Sequence, residues 1–295
     1  MRYGPALALS AALLIPACFP ASDPPQYAAR LAGELVWTHD ADWFGGLSAL
    51  SVRDNGTRVV AITDSARLIE ARLTRQGGTL SGVTLDTSRA LLNTSGWPIK
   101  GDYADAEGLA IAPDGTMFVS FENKHRVLRY ANGPIAERLP AHQNFDLFRL
   151  NGSLEALAIA EDGTLFTLPE RPLSGRSGFP VYAFDGVAWR RAFSLPPRNG
   201  FLAVGADFGP DGAFYLLERR ITPLGFQSRV RRWHIGADGP TDETVILRSR
   251  PGLHGNLEGL SVWRDTAGHL RLTLVADDNF WRMLQTEIVE YVITE

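Results

Sequence analysis

The chain has 295 residues, 45% of them hydrophobic, and a formal net charge of −4, enough apolar material for a full core. No Lys/Arg cluster marks a phosphate-backbone footprint, which argues against a nucleic-acid partner. With 29 Gly, 18 Pro and one Cys, the composition suits a turn-rich all-β protein and excludes an internal disulfide.

At the N-terminus, Arg2 precedes an apolar run from Ala6 to Ile15, too short to span a bilayer and suited to a signal-peptide core. Ile15-Pro16-Ala17-Cys18 is similar to a bacterial lipobox, with Pro16 its imperfect position. The expected organisation is a signal peptide over residues 1–17, a linker over 18–30 and one propeller domain over 31–295. The mature protein is then an exported, periplasmic monomer whose only membrane link is a lipid on Cys18. Plain cleavage after Ala17 or Ala21 is the alternative. Cys18→Ala should release the protein into the soluble periplasmic fraction. A wild type already soluble there, with an unmodified N-terminus downstream of Cys18, would sink this expectation.

Downstream, one phrase recurs: Glu107-Gly108-Leu109-Ala110-Ile111, Glu155-Ala156-Leu157-Ala158-Ile159 and Glu258-Gly259-Leu260-Ser261-Val262. Degenerate copies stand at Ser48-Ala49-Leu50-Ser51-Val52 and Val204-Gly205-Ala206-Asp207-Phe208. The second positions fall at 49, 108, 156, 205 and 259, a period near fifty that predicts a β-propeller. Asn55-Gly56, Asp114-Gly115, Asp162-Gly163 and Asp211-Gly212 then turn the chain into a second apolar run. Those runs reach Asp64, Glu122, Glu170 and Glu218. Third strands follow at Val127–Tyr130, Val181–Phe184 and Val230–Trp233, and outer strands at Trp189–Leu195 and Glu243–Leu247. The last unit ends at Ile288–Ile293 without an outer strand, and Glu34–Thr38 is predicted to supply it and close the ring. Five blades are expected; an extra partial unit within Leu80–Gly101 would make six.

The ordered strings Phe44–Leu50, Asp64, Asp105-Ala106-Glu107-Gly108-Leu109, Leu216-Leu217-Glu218-Arg219, Asn256–Leu260 and Val275-Ala276-Asp277-Asp278-Asn279 resemble the bacterial phytase-like family, also called "esterase-like activity of phytase". The resemblance covers nearly all of the chain beyond the signal segment. It implies an exported β-propeller acting on a phosphoester. The Glu-Gly-Leu phrase is also similar to the Glu-Gly-Pro start of calcium-dependent gluconolactonase-type propellers, which implies a sugar lactone or other ester as an alternative.

In a propeller, the start of each first strand meets the end of each second strand on one face. Glu107, Glu155 and Glu258 would then stand beside Asp64, Glu122, Glu170, Glu218 and Asp277. That much like charge needs a cation, basic neighbours or raised pKa values. An interblade ring of carboxylate–guanidinium pairs is the structural reading, and Glu155 and Glu170 fit it best. The expected metal ligands are Asp64, Asp105, Glu107, Glu218, Glu258, Asp277 and Asn279, an all-oxygen set that suits Ca²⁺ rather than zinc. Glu107 or Glu258 would serve as general base, with Arg126, Arg219 and Arg282 holding substrate anions. No Gly-x-Ser-x-Gly elbow exists, so a Ser48–His254–acid triad is the one serine arrangement open. The expected function is metal-dependent phosphoester or ester hydrolysis at the channel mouth. The alternatives are a lactonase-like enzyme and a non-catalytic envelope module that binds a ligand or protein.

Overall fold

The computed structural model describes residues 28–173, 178–281 and 283–294. Cys18, the expected signal segment and Arg282 therefore lie outside the described residues. Among those described, no helix is long and apolar enough to cross a membrane.

Among the described residues, twenty strands form five antiparallel four-stranded sheets arranged as a propeller. Blade one holds β2 (Leu47–Arg53), β3 (Arg58–Thr63), β4 (Arg67–Gln76) and β5 (Thr79–Ala90). Blade two holds β6 (Ala106–Ile111), β7 (Met117–Phe121), β8 (Arg126–Tyr130) and β9 (Glu137–Arg138). Blade three holds β10 (Ala156–Ile159), β11 (Leu165–Leu168), β12 (Phe179–Phe184) and β13 (Trp189–Leu195). Blade four holds β14 (Leu202–Phe208), β15 (Phe214–Thr222), β16 (Gly225–Gly236) and β17 (Gly239–Arg248). Blade five combines β18 (Asn256–Arg264), β19 (Leu270–Asp277) and β20 (Glu287–Ile293) with β1 (Ala29–Val36) from the other end of the chain. The segment from Leu80 onward makes no sixth blade: its first part is β5, and the rest contributes a single bridge, Leu92 to Pro98.

Closure works as the missing outer strand demands. β1 pairs antiparallel with β20 from Ala29↔Ile293 to Val36↔Glu287. The strand starts five residues earlier than the expected Glu34–Thr38 segment and ends at Val36, after which Trp37 buries its ring. A buried ion network backs the seam: Glu290 of β20 accepts from Arg75 of β4 at 2.5 Å and from Arg271 at 3.1 Å.

Each sheet has two apolar faces, so the core is a set of layers between blades rather than one centre. Five buried clusters occupy the five junctions; Leu109 and Val119 meet Ile62 at one, and Leu216 and Phe214 meet Phe166 at another. Nearest the axis the blades almost touch. A Cβ on Gly205 would sit 2.4 Å from the Glu258 carbonyl oxygen, and one on Gly259 would sit 3.0 Å from the Ala49 Cα. Glycine in the repeated phrase is therefore a packing requirement of the inner ring.

Candidate functional site: an acidic channel mouth

The acid of the repeated phrase occupies a β-bulge. Pairing slips between Leu47 and Ala49, between Ala106 and Leu109, between Ala203 and Gly205, and between Leu257 and Gly259. Ser48, Glu107, Val204 and Glu258 are thus set at the irregularity, and Glu155 immediately precedes β10. A bulge re-aims its side chain, here toward the end of the neighbouring second strand.

The second-strand positions follow from register. Leu47 faces Thr63, Ala106 faces Phe121, Ala203 faces Glu218 and Leu257 faces Ala276. The residues one step beyond are Asp64, Glu122, Arg219 and Asp277. In blade four, then, an arginine stands at the position that elsewhere carries an acid. Glu218 is one residue out of phase and projects from the opposite side of the strand. There it is fully buried against Arg229 at 2.8 Å and Arg231 at 2.5 Å. Its expected place among the metal ligands is corrected: Glu218 is a structural ion-pair residue.

Arg219 is the cation at the centre of the mouth. Its guanidinium donates to Glu258 at 2.5 Å and to Asn256, and lies 3.5 Å from Glu170. Asn256 donates to the same Glu258 oxygen at 2.8 Å. Burial works against the Arg219 charge, but Glu258, Glu155, Glu170 and Glu107 outweigh it and hold the guanidinium above its usual range. Rather than waiting for a substrate anion, Arg219 is engaged with the protein's own acids.

Beyond its reach, carboxylates face one another. One oxygen from each of Asp105, Glu107 and Glu122 lies within 4.8 Å of the others. Glu122 accepts from the backbone N–H groups of Gly152 and Ser153, and Asp105 accepts from the Asn123 amide at 2.5 Å. Burial, then the charges of Glu258, Glu122 and Asp105, push Glu107 well above the ordinary carboxylate range. Burial and Glu107 do the same to Glu155. Asp64 and Asp277 are each pushed up to about 7, mainly by burial, with Asp277 acting on Asp64 and Glu258 acting on Asp277. Asp64 Oδ1 is buried without any hydrogen-bond partner. The cluster is all oxygen, with no nitrogen or sulfur donor among its members.

The remaining expected residues fall elsewhere. Asn279 has a left-handed backbone (φ 48°), and its N–H donates to Asp277 at 2.7 Å; among the described residues no side-chain contact ties it to the acids. Asp278 caps Gly46 and Phe280 through their N–H groups. Arg126 donates to the Lys124 and Tyr103 carbonyls and faces a side pocket rather than the acids. Ser48 donates weakly to the Gly46 carbonyl at 3.4 Å, whereas His254 is bonded to the Tyr291 hydroxyl at 2.6 Å. The Ser48–His254 triad is not formed.

Two residues were undervalued in sequence. Glu122 stands there among the converging acids without being taken as a ligand, and Arg219 reads as a substrate clamp. A count from the turn glycines would have separated them: the seventh residue after Gly115, Gly163 and Gly212 is Glu122, Glu170 and Arg219. The larger cavity, about 920 Å³, opens at the opposite end among the hairpin turns. Its buried acid, Asp207, is spent on the Val262 and Phe208 N–H groups.

Fold and site together define a five-bladed β-propeller with a carboxylate-lined mouth. The chain belongs to the phytase-like family, described as esterase-like activity of phytase, whose model matches residues 42–280. No curated protein matches the chain. Among solved structures, an α-L-arabinofuranosidase from Podospora anserina is similar at 12% identity and a TM-score of 0.51, over 90% of this chain and 97% of that one. A gluconolactonase from Xanthomonas campestris is similar at 14% identity and 0.45, over 85% and 86%. The calcium-binding regucalcin from Agrobacterium tumefaciens is similar at 11% and 0.44, over 85% and 78%. At these identities the likeness concerns the fold alone.

Proposed function

We propose that this propeller is a calcium-dependent hydrolase of ester or phosphoester bonds, acting at the acidic mouth. The observation that carries the reading is the Asp105–Glu107–Glu122 triad, whose oxygens approach within 4.8 Å of one another. Arg219 is taken up by Glu258 and Glu170, and Arg171 pairs with Glu170 as well at 2.9 Å. Hard oxygen donors at the start of β6 and just past the end of β7 match the flexible oxygen preference of Ca²⁺. Asp105, Glu107 and Glu122 would hold the ion, with the unpartnered Asp64 oxygen facing the same charge field. When bound, the ion would supply a polarised substrate oxygen and a more acidic water. Glu107, held well above the ordinary carboxylate range by burial and by Glu258, Glu122 and Asp105, would carry a proton in the metal-free site and release it when the ion binds. Asn256 and Arg219 fix Glu258, so this carboxylate orients the site instead of moving protons.

The substrate class follows from the family, phosphoester first and lactone or other ester second. A non-catalytic module that grips a cation would share the metal site but show no turnover. Turnover of p-nitrophenyl phosphate or p-nitrophenyl acetate that chelator abolishes supports the hydrolase; the absence of turnover with both, in saturating calcium, overturns it.

The metal has its own readout in the pH dependence of stability. Asp64 and Asp277 titrate higher in the folded than in the unfolded chain. The native state therefore binds more protons between the ordinary carboxylate range and about pH 7. Calcium-free stability should accordingly fall as pH rises through that window. Calcium competes with those protons, so its stabilisation should grow over the same window and reach about 2.7 kcal/mol at a hundredfold excess over Kd. Glu107→Gln should remove the calcium response. Melts at pH 5.5 and 8, each with calcium and with chelator, measure this; a flat response to millimolar calcium at both pH values refutes the metal.

A further inference from the structure

Arg126 opens β8, on the same face of the propeller as the acids, but it does not join them. Its side chain is buried, its cationic head stacks 4.0 Å from the Phe121 ring centre, and two of its N–H groups satisfy main-chain carbonyls. The ionisable groups that bear on it are Arg138, Tyr130 and Tyr103, with no carboxylate among them. Burial, reinforced by Arg138, pulls its guanidinium down to about 10. A buried cation without a counter-charge is costly, and here a second and a third cation stand beside it.

Arg126 forms the wall of a pocket of about 350 Å³ outboard of the mouth, between blade two and the segment that leads into it. Lys100 and Arg138 line the same pocket with exposed side chains, Ile99 and Leu128 supply an apolar wall, and no acidic residue takes part. The Tyr103 ring stands at its rim, 5.8 Å from the Arg126 head and 6.0 Å from Lys124 Nζ. Three cations without an acid select an anion, and guanidinium forks suit phosphate and carboxylate. The volume decides against a lone inorganic ion: it is at the lower end of the range for small organic ligands.

We propose that this pocket binds the phosphate or carboxylate head of a small organic anion whose apolar body lies against Ile99, Leu128 and Tyr103. The site is separate from the carboxylate triad and needs no metal.

Calorimetric titration with phenyl phosphate and with benzoate, at fixed ionic strength and in the presence of chelator, tests it. The expected result is saturable binding of at least one probe. The tighter of the two identifies the head group as phosphate or carboxylate. Because loss of Arg126 could impair folding, the variants are Arg138→Gln and Lys100→Gln, both at exposed positions. Each should weaken binding by roughly tenfold, the worth of one charge-assisted hydrogen bond. Arg58→Gln, an exposed change in blade one, should leave binding unaltered. Absence of binding by both probes at about 10 mM, a level that would reveal a millimolar Kd, overturns the proposal. So does binding that survives both pocket variants. With calcium chelated throughout, failure here leaves the metal reading of the mouth untouched, and the reverse holds equally.

Discussion

Replacing Arg219 with glutamine should lower the melting temperature of the calcium-free protein at pH 8 by about 10 °C. The arginine is bonded to Glu258 and Asn256 and lies within ion-pair distance of Glu170. Removing one partner of a buried ion pair leaves an uncompensated charge, at a cost of about 3–5 kcal/mol. For a chain of this size each kcal/mol moves the transition by roughly 2–4 °C. The deficit should shrink at pH 5.5, because Glu107, Glu155, Glu258, Asp64 and Asp277 all titrate above their usual range and take up protons as pH falls. Arg219→Lys should recover only part of the loss, since an ammonium keeps the charge but not the fork that spans several acceptors. Thermal melts of the three proteins at both pH values provide the measurement. A glutamine variant within about 2 °C of wild type at pH 8, less than 1 kcal/mol on the same scale, would mean that the acids need no counter-charge.

Deleting residues 19–38 has the larger effect and unfolds the propeller or drives it to aggregate. The deletion removes β1 and the buried Trp37 ring, strips β20 of its outer neighbour, and opens the one seam of the ring. The exposed edge of β20 would then template association between chains. The loss should exceed the roughly 4–5 kcal/mol that marks exceptional single substitutions. Adding a synthetic peptide of residues 26–38 should restore part of the cooperative transition, because the strand pairs through its backbone. Far-UV circular dichroism and light scattering report both outcomes. A truncated protein that melts like wild type would show that the seam is held elsewhere.

Much of this architecture is legible in the chain because the repeat is carried by packing. The glycine of the phrase marks inner strands that approach a neighbour closely, as Gly205 against the Glu258 carbonyl shows, whereas Ala49 and Ala156 hold the same position in two other blades. The hairpin turns and the absent last strand then give blade count and closure. The mouth was harder to read for a reason of register. Leu216-Leu217-Glu218 imitates the strand ends of other blades, but strand faces alternate, so a one-residue slip exchanges a site residue for a core one. Glu218 went to Arg229 and Arg231, and Arg219 took the central position. The bulge at Glu107 and Glu258 is equally invisible in a linear pattern, since it appears only when the two paired strands are counted against each other. Arg126 shows a third limit: adjacency to Glu122 in sequence suggested a shared site, whereas the strand start turns it outward to Lys100 and Arg138.

The pairing of β1 with β20 also orders events in time. Ala29 leaves the ribosome long before its partner Ile293, which lies far downstream in the chain. At a synthesis rate of 5–20 residues per second, the first strand waits about 13–50 s before it can be paired. Through that interval four blades can assemble in sequence, each from contiguous chain, while β1 stays an unsatisfied edge. The ring can lock only once Glu287–Ile293 has been made, and until then β1 is the segment most open to wrong pairing.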